Sequence, residues 1–265
     1  MIIDAHTHLP VPDAPHSKED QKAEYLRALA DDGVEQAILI PDNVAGSAIG
    51  DLDTCVALFA ENENVSILGT IDVQQNPSES VRRLERLLAG GTIIGMKIFP
   101  GHDPIYPTDP RLDDVYALCS RYQAPMLIHT GWNSGHPEVA MYNDPKYIAQ
   151  VANRYPSLPI VISHYFWPEV YYCYRVTRDY PNIYFDTSGL ADDEVIQETG
   201  RERIRAVLMK TITDNPNSLI FGSDYLSCDR RVHIDLVDSL VIPRSIKDKV
   251  YWENATTLFG LPRWK

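Results

Sequence analysis

The chain has 265 residues, of which 44% are hydrophobic and 23% charged, a balance that excludes a disordered or low-complexity protein. Its length suits one large domain or two small ones. The formal net charge of −13 argues against nucleic acid and other polyanions as partners, since those demand Lys and Arg to displace phosphate counterions.

The chain opens on MIIDAHTHLP (1–10), a short apolar run that reaches His6 and His8 and stops at Pro10. Read as a strand, its side chains alternate, so Ile2, Asp4, His6 and His8 are expected on one face. Two imidazoles at a strand end, with a carboxylate one step behind, read as a metal site with an orienting group. An isolated His-x-His is more often two surface histidines, so the assignment depends on how the other strands end. Residues 18–32 read as a polar-faced helix closed by Gly33, and 34–40 as a buried strand. A helix over 51–62 and a third strand over 65–73 follow. Asn76-Pro77-Ser78-Glu79 supplies an N-cap, a first-turn proline and a glutamate for the next helix. Strand four is 93–99, and Asp109-Pro110 starts its helix. Strand five is 125–130, with Asp144-Pro145 opening the helix after it. Strand six is 158–164, with Pro168 early in its helix. Strand seven is 182–188, before a helix over 192–210. Strand eight is 218–224, before helical stretches near 232–240 and 245–259.

Eight strand-then-helix units with near-continuous apolar strands predict a single (β/α)₈ TIM barrel spanning residues 1–265. A doubly wound open sheet would carry a glycine-rich phosphate loop after an early strand, and none is present. In a barrel, chemistry collects where the strands end. Strand one brings His6 and His8, and strand four Lys97 with Ile93 and Gly95 behind it. Strand five brings His129 behind Leu127, strand six His164 behind Ile160 and Ile162, and strand eight Asp224 behind Ile220 and Gly222. One polar tip is an ordinary satisfied core residue, but five strands ending this way describe a site.

Three imidazoles and a carboxylate suit a divalent ion such as zinc with one position left for water, whose pKa it brings to about 7. Asp224 is placed to take that water's proton, and His164 to orient the water or polarise a substrate carbonyl. The four cysteines (Cys55, Cys119, Cys173, Cys228) are far apart and form no Cys-x-x-Cys pair, which fits a reducing compartment. No basic leader precedes the first strand, and no apolar run approaches the ~20 residues of a membrane span. A cytoplasmic enzyme with no membrane partner is expected.

DAHTHLP (4–10), GMKIFP (95–100), LIHTGW (127–132), VISHYFW (161–167), FGSDY (221–225) and ENATTLFGL (253–261) resemble the amidohydrolase superfamily. The resemblance is to its amidohydrolase-related group, which includes aminocarboxymuconate-semialdehyde decarboxylase and pyrone-dicarboxylate lactonase. It implies His6, His8, His129 and Asp224 as metal ligands and His164 as a catalytic acid or base. The reaction stays open between hydrolysis of a small carboxylated or cyclic ester, lactone or amide and non-oxidative decarboxylation of a carboxylated aromatic or muconate-like compound. The family also implies dimers, although no stretch marks an interface.

Lys97 has three readings. It is carbamylated and bridges to a second ion held by His129 and His164, or it pairs with a substrate carboxylate, or it forms a salt bridge at the barrel mouth to Asp72 or Asp4. Dihydroorotase-like relatives carry an arginine soon after the first histidine pair, where this chain has Leu9-Pro10, which counts against two metals. TatD-like nucleases place a glutamate where this chain has Lys97. Trp132, Asn133 and His136 follow strand five and are candidates to line a pocket, Trp132 as a substrate contact. Tyr165, Phe166 and Trp167 are expected at the rim. Asp186 and Ser188 read as mainly structural, with a hydrogen bond to a ligand histidine as the alternative. His16, His102 and His233 are expected at the surface, and YYCY (171–174) as a helix packed on the barrel.

Overall fold

Nine short strand segments form in the computed structural model, which describes residues 1–11, 17–73, 77–133 and 136–262. They are β1 (Ile3–Thr7), β2 (Gln36–Leu39), β3 (Val65–Ile67), β4 (Gly69–Thr70), β5 (Met96–Ile98), β6 (Met126–Ile128), β7 (Ile160–Ile162), β8 (Ile183–Asp186) and β9 (Leu219–Ile220). All pair in parallel and in chain order. The expected third strand is β3 plus β4, interrupted at Leu68, whose N–H donates sideways to Leu39 at 3.0 Å. Ile94 donates to Ile67 at 3.0 Å and carries the ladder past that break. At the other seam Ala5 donates to Phe221, and Asp224 to His6, both at 2.9 Å. The ladder thereby returns to its first strand, and the fold is the (β/α)₈ barrel that the alternation predicts.

Carboxylate and hydroxyl caps start the surrounding helices. Ser17 and Asp20 form a reciprocal capping box, and Asp51, Asp144, Asp192 and Asp229 each accept from a first-turn N–H. Asn76 lies outside the described residues, but the helix expected after it runs Pro77–Ala89. The stretch expected over 192–210 is two helices, Asp193–Thr199 and Arg201–Asp214, because Gly200 turns the chain with φ 89°. The last stretch divides into Arg244–Asp248, a wider turn Lys249–Glu253 and Asn254–Phe259.

The core has two layers. Ile3, Ala5, Ile38, Ile40, Leu68, Leu127, Val161 and Ile220 fill the barrel, closed at its base by Ala255, Phe259 and Leu261. Met96, Ile98, Met126, Ile128, Ile160 and Ile162 face outward into the layer shared with the helices. Three expectations of strand parity fail against this division: ahead of β5, Ile93 lies in the outer layer and is not behind Lys97. On β7 the inward residue is Val161, so Ile160 and Ile162 are not the ones behind His164. On β1 the register slips by one residue, since Asp4 to Thr7 opposes only Ala37 to Leu39. This bulge puts Ala5 and His6 on the barrel side together and leaves Asp4 pointing away.

Candidate metal centre

His6 and His8 arrive at the mouth of the barrel because of that bulge, and their outer nitrogens are already committed. The Nδ1–H of His6 donates to Asp186 Oδ2 at 2.8 Å, and the Nδ1–H of His8 donates to the Ile40 carbonyl at 2.9 Å. Each ring therefore presents a bare Nε2 lone pair inward. Those lone pairs face Asp224 Oδ1 at 3.3 Å from His6 and 3.5 Å from His8. The orienting carboxylate is Asp186 on β8; Asp4, expected in that role, is turned outward to Arg230 at 2.7 Å.

His164 reaches the same space by a different route. Its backbone is left-handed, φ 65°, as are those of Tyr165 (53°) and Phe166 (54°), a conformation that costs roughly 1–2 kcal/mol per residue. Without this turn the parity of β7 would send the imidazole outward. Asp186 Oδ1 accepts the His164 N–H at 3.1 Å, and Thr130 Oγ1 accepts the Phe166 N–H at 2.8 Å. Gly131, at φ 94°, lies so close beneath that an added Cβ would sit 2.9 Å from the Trp167 carbonyl. The Nδ1–H of His164 is held by the Ser188 carbonyl at 3.1 Å, with Ser188 Oγ 2.9 Å away. Asp186 and Ser188 thus orient His6 and His164 rather than merely finishing a strand.

One ligand atom each from His6, His164 and Asp224 lies within 4.8 Å of the other two. His8 borders this group through Asp224. His129 stands one ring further out, with its centroid 4.9 Å from that of His164 and its Nε2 3.0 Å from Asn133 Oδ1. Burial, then Lys97, lowers the pKa of His6 against the pull of Asp186, and burial takes His164 to about 4. Burial alone would raise Asp224, yet His164, His8 and His6 hold it well below the usual carboxylate range. Two imidazole Nε2 atoms and a carboxylate oxygen thus converge on one point at the barrel mouth. The donor set fits a divalent metal.

Lys97 is inward as expected and 1% exposed, its Nζ 3.1 Å from Ser163 Oγ and 3.3 Å from His6 Nε2. Burial lowers it to about 8, partly offset by Asp186 and Asp224. The salt bridge to Asp4 is overturned, because Asp4 is taken by Arg230 and Ser223 on the other side of the strand.

Two lobes of one cavity open above these groups. The first, about 250 Å³, is bounded by His6, His8, Lys97, Phe99, His102 and Asp224. The second, about 320 Å³, is bounded by Trp132, Asn133, Trp167, Asp192, Glu194 and Val195. His102, His129, His164, Asp224 and Ser227 line both. A larger hollow of about 510 Å³ at the opposite end of the barrel, near Gln123, Asn217 and Lys249, offers no cluster of metal-ligating side chains among the described residues. His102, expected at the surface, is exposed yet packs its ring 4.5 Å from that of His129. His233, also expected there, is buried between Asp229 and Ala191; His16 lies outside the described residues. His136 is exposed beside Glu138. Tyr165 is not at the rim but stacked on Phe185 in the outer core. Strand periodicity would have found Ser163 from Val161, whereas nothing in the sequence marks His102.

Among solved structures, an uncharacterized TIM-barrel protein from Bordetella bronchiseptica superposes with a TM-score of 0.78 at 21% identity, covering 98% of each chain. A candidate 2-pyrone-4,6-dicarboxylic acid hydrolase from Pseudomonas putida gives 0.73 at 13%, covering 99% of this chain and 98% of that one. A dihydroxybenzoic acid decarboxylase from Polaromonas, solved with manganese and 2-nitroresorcinol, gives 0.69 at 16%, with 99% and 98% covered. No curated protein sequence matches. The amidohydrolase family pattern matches residues 3–261, almost the whole barrel from first strand to closing helix, and the chain belongs to that family.

Proposed function

We propose that the chain is a metal-dependent hydrolase of a small carboxylated or cyclic ester, lactone or amide. The observation that carries this reading is the pair of Nε2 lone pairs turned on the Asp224 carboxylate beneath an open cavity. His6, His8 and Asp224 would hold the ion, with His129 completing the set and His164 beside it. Zinc suits the donors best. When bound, it supplies a Lewis acid and a water acidic enough to ionise near neutral pH. Asp224 takes the water's proton at a carboxylate oxygen and delivers it to the leaving group. His164, neutral and held through Nδ1, aligns the attacking water or accepts its second hydrogen bond. Lys97 pairs with a carboxylate of the substrate, and Trp132 walls the second lobe.

Buried Lys97 favours a second reading, non-oxidative decarboxylation, in which a cation holds the carboxylate that departs as carbon dioxide. The acidic chain takes small molecules rather than nucleic acid, works in the cytoplasm and assembles as a homodimer. No described helix is long and apolar enough to cross a membrane.

Metal content per chain, measured with and without bicarbonate during purification and in His6→Ala, tests the centre. About one zinc, insensitive to bicarbonate and lost in the variant, is expected. About two, rising with bicarbonate, would mean carbamylated Lys97 and a two-metal site. No metal in any preparation sinks the proposal. Carbon dioxide as the sole product across a panel of lactones, amides and aromatic carboxylates would replace hydrolase by decarboxylase.

A further inference from the structure

The two lobes differ in charge. The first holds Lys97 and the expected ion, with Asp42 as its carboxylate besides the shared Asp224. Around the second, no Lys or Arg appears among the described residues, while Asp192 and Glu194 stand at its edge. One side of it is apolar, formed by Trp132, Trp167 and Val195, while Asn133, Ser227 and the histidines shared with the first lobe supply the polar remainder. Trp132 and Trp167 pack at 5.8 Å between ring centroids, Trp167 is 7% exposed, and Val195 is buried behind them. A carboxylate placed against the tryptophans would lose water and meet two like charges, with no Lys or Arg among the described lining residues to offset the loss.

We infer that the second lobe accepts a planar, neutral or cationic portion of the substrate and rejects an anionic one, so that a single carboxylate is bound, at the metal end. This rests on the metal-centred reading above and narrows its substrate class to monocarboxylates whose far end carries no negative charge. The structure gives the reason for both halves: the tryptophans supply aromatic contact surface, and the two carboxylates supply the charge filter.

Binding tests this without knowledge of the substrate. Zinc-loaded protein is titrated with benzoate, 4-(aminomethyl)benzoate and terephthalate, read by tryptophan fluorescence, and zinc per chain is measured in the same samples. Benzoate and 4-(aminomethyl)benzoate are expected to bind at least tenfold more tightly than terephthalate. The double variant Asp192→Asn/Glu194→Gln should shrink that gap at least threefold; asparagine keeps the helix cap that Asp192 provides. Terephthalate binding as tightly as benzoate, an unchanged gap in the variant, or no binding of any probe to zinc-loaded protein would each overturn the inference while leaving the metal centre standing. Absence of zinc would overturn the metal-centred reading itself, and this inference with it.

Discussion

Asp186 shows how much of the centre is decided by one side chain that touches no reacting atom. Its Oδ2 fixes His6 as the Nδ1–H tautomer, and its Oδ1 accepts from the His164 N–H and the Ser188 N–H. Burial would raise its pKa, but His6 and His164 outweigh that and hold it far down, so it is an anion at working pH. Asp186→Asn keeps the shape and removes the charge, and we expect metal binding to weaken by about 10–100-fold, as for other partners of ligand histidines. Chelator competition gives the affinity, and urea unfolding of the metal-free variant shows whether the fold survives; unaltered affinity would reduce Asp186 to scaffolding. Asp103 makes the opposite case. Burial pushes its pKa up to about 6, despite a 2.7 Å bond from Asn43, and Asp72 and Asp42 add to the rise. A folded pKa above the ordinary carboxylate value means that stability is full below about pH 4 and is lost as pH rises through 6. Asp103→Asn should therefore gain stability over the wild type between pH 4 and pH 7. Urea midpoints at those two values decide it, and a pH-independent difference would contradict it.

The His164–Phe166 turn is the element on which the site depends and the one that pattern reading could not supply. Alternation along β7 is sound for Val161 and Ser163, but it assigns His164 to the wrong side, since three successive left-handed residues carry no hydrophobic signature. The bulge in β1 is invisible for the same reason: one extra residue leaves the apolar pattern intact while reversing the sense of Asp4 and His6. By contrast, His129 and Asp224 follow strands whose inward set is regular, and Lys97 points inward as expected although Ile93 does not; their placement was legible, as was the order of the strands. Asn143 was silent in the sequence, yet it ties the loops after β5 and β6 by bonds to Pro100 and Gly131. The turn's dependence on Gly131 can be measured. Gly131→Ala places a Cβ 2.9 Å from the Trp167 carbonyl at φ 94°, whereas Gly91→Ala, at φ 69°, meets nothing within 4 Å. The second substitution should cost about 1 kcal/mol, the conformational penalty alone. The first should exceed it by at least about 1 kcal/mol in urea unfolding, the clash being with backbone that cannot rotate away. Equal costs would mean that the turn is free to shift.

At the scale of the whole barrel, the stress falls on the seam where the last strand meets the first. Arg230 is fully buried there. Its Nε donates to Asp4 at 2.7 Å, its Nη1 to Asp32 at 2.8 Å, and its guanidinium lies 4.2 Å from the centre of the Tyr225 ring. Asp4 in turn accepts from the N–H and hydroxyl of Ser223, the neighbour of Asp224. One ion-pair network therefore joins β1, the end of the first helix and the loop that carries Asp224, groups separated by most of the chain. An interior charge left without its partner is more damaging than the pair is stabilising. Arg230→Met should accordingly cost about 3–5 kcal/mol, because Asp4 stays anionic in an apolar setting. Adding Asp4→Asn removes that stranded charge and keeps an acceptor for Ser223, so the double variant should be more stable than Arg230→Met by about 1 kcal/mol or more. Urea unfolding of the three proteins tests the coupling. If the double variant is less stable than Arg230→Met, Asp4 is held by Ser223 alone and the seam does not depend on the charge pair.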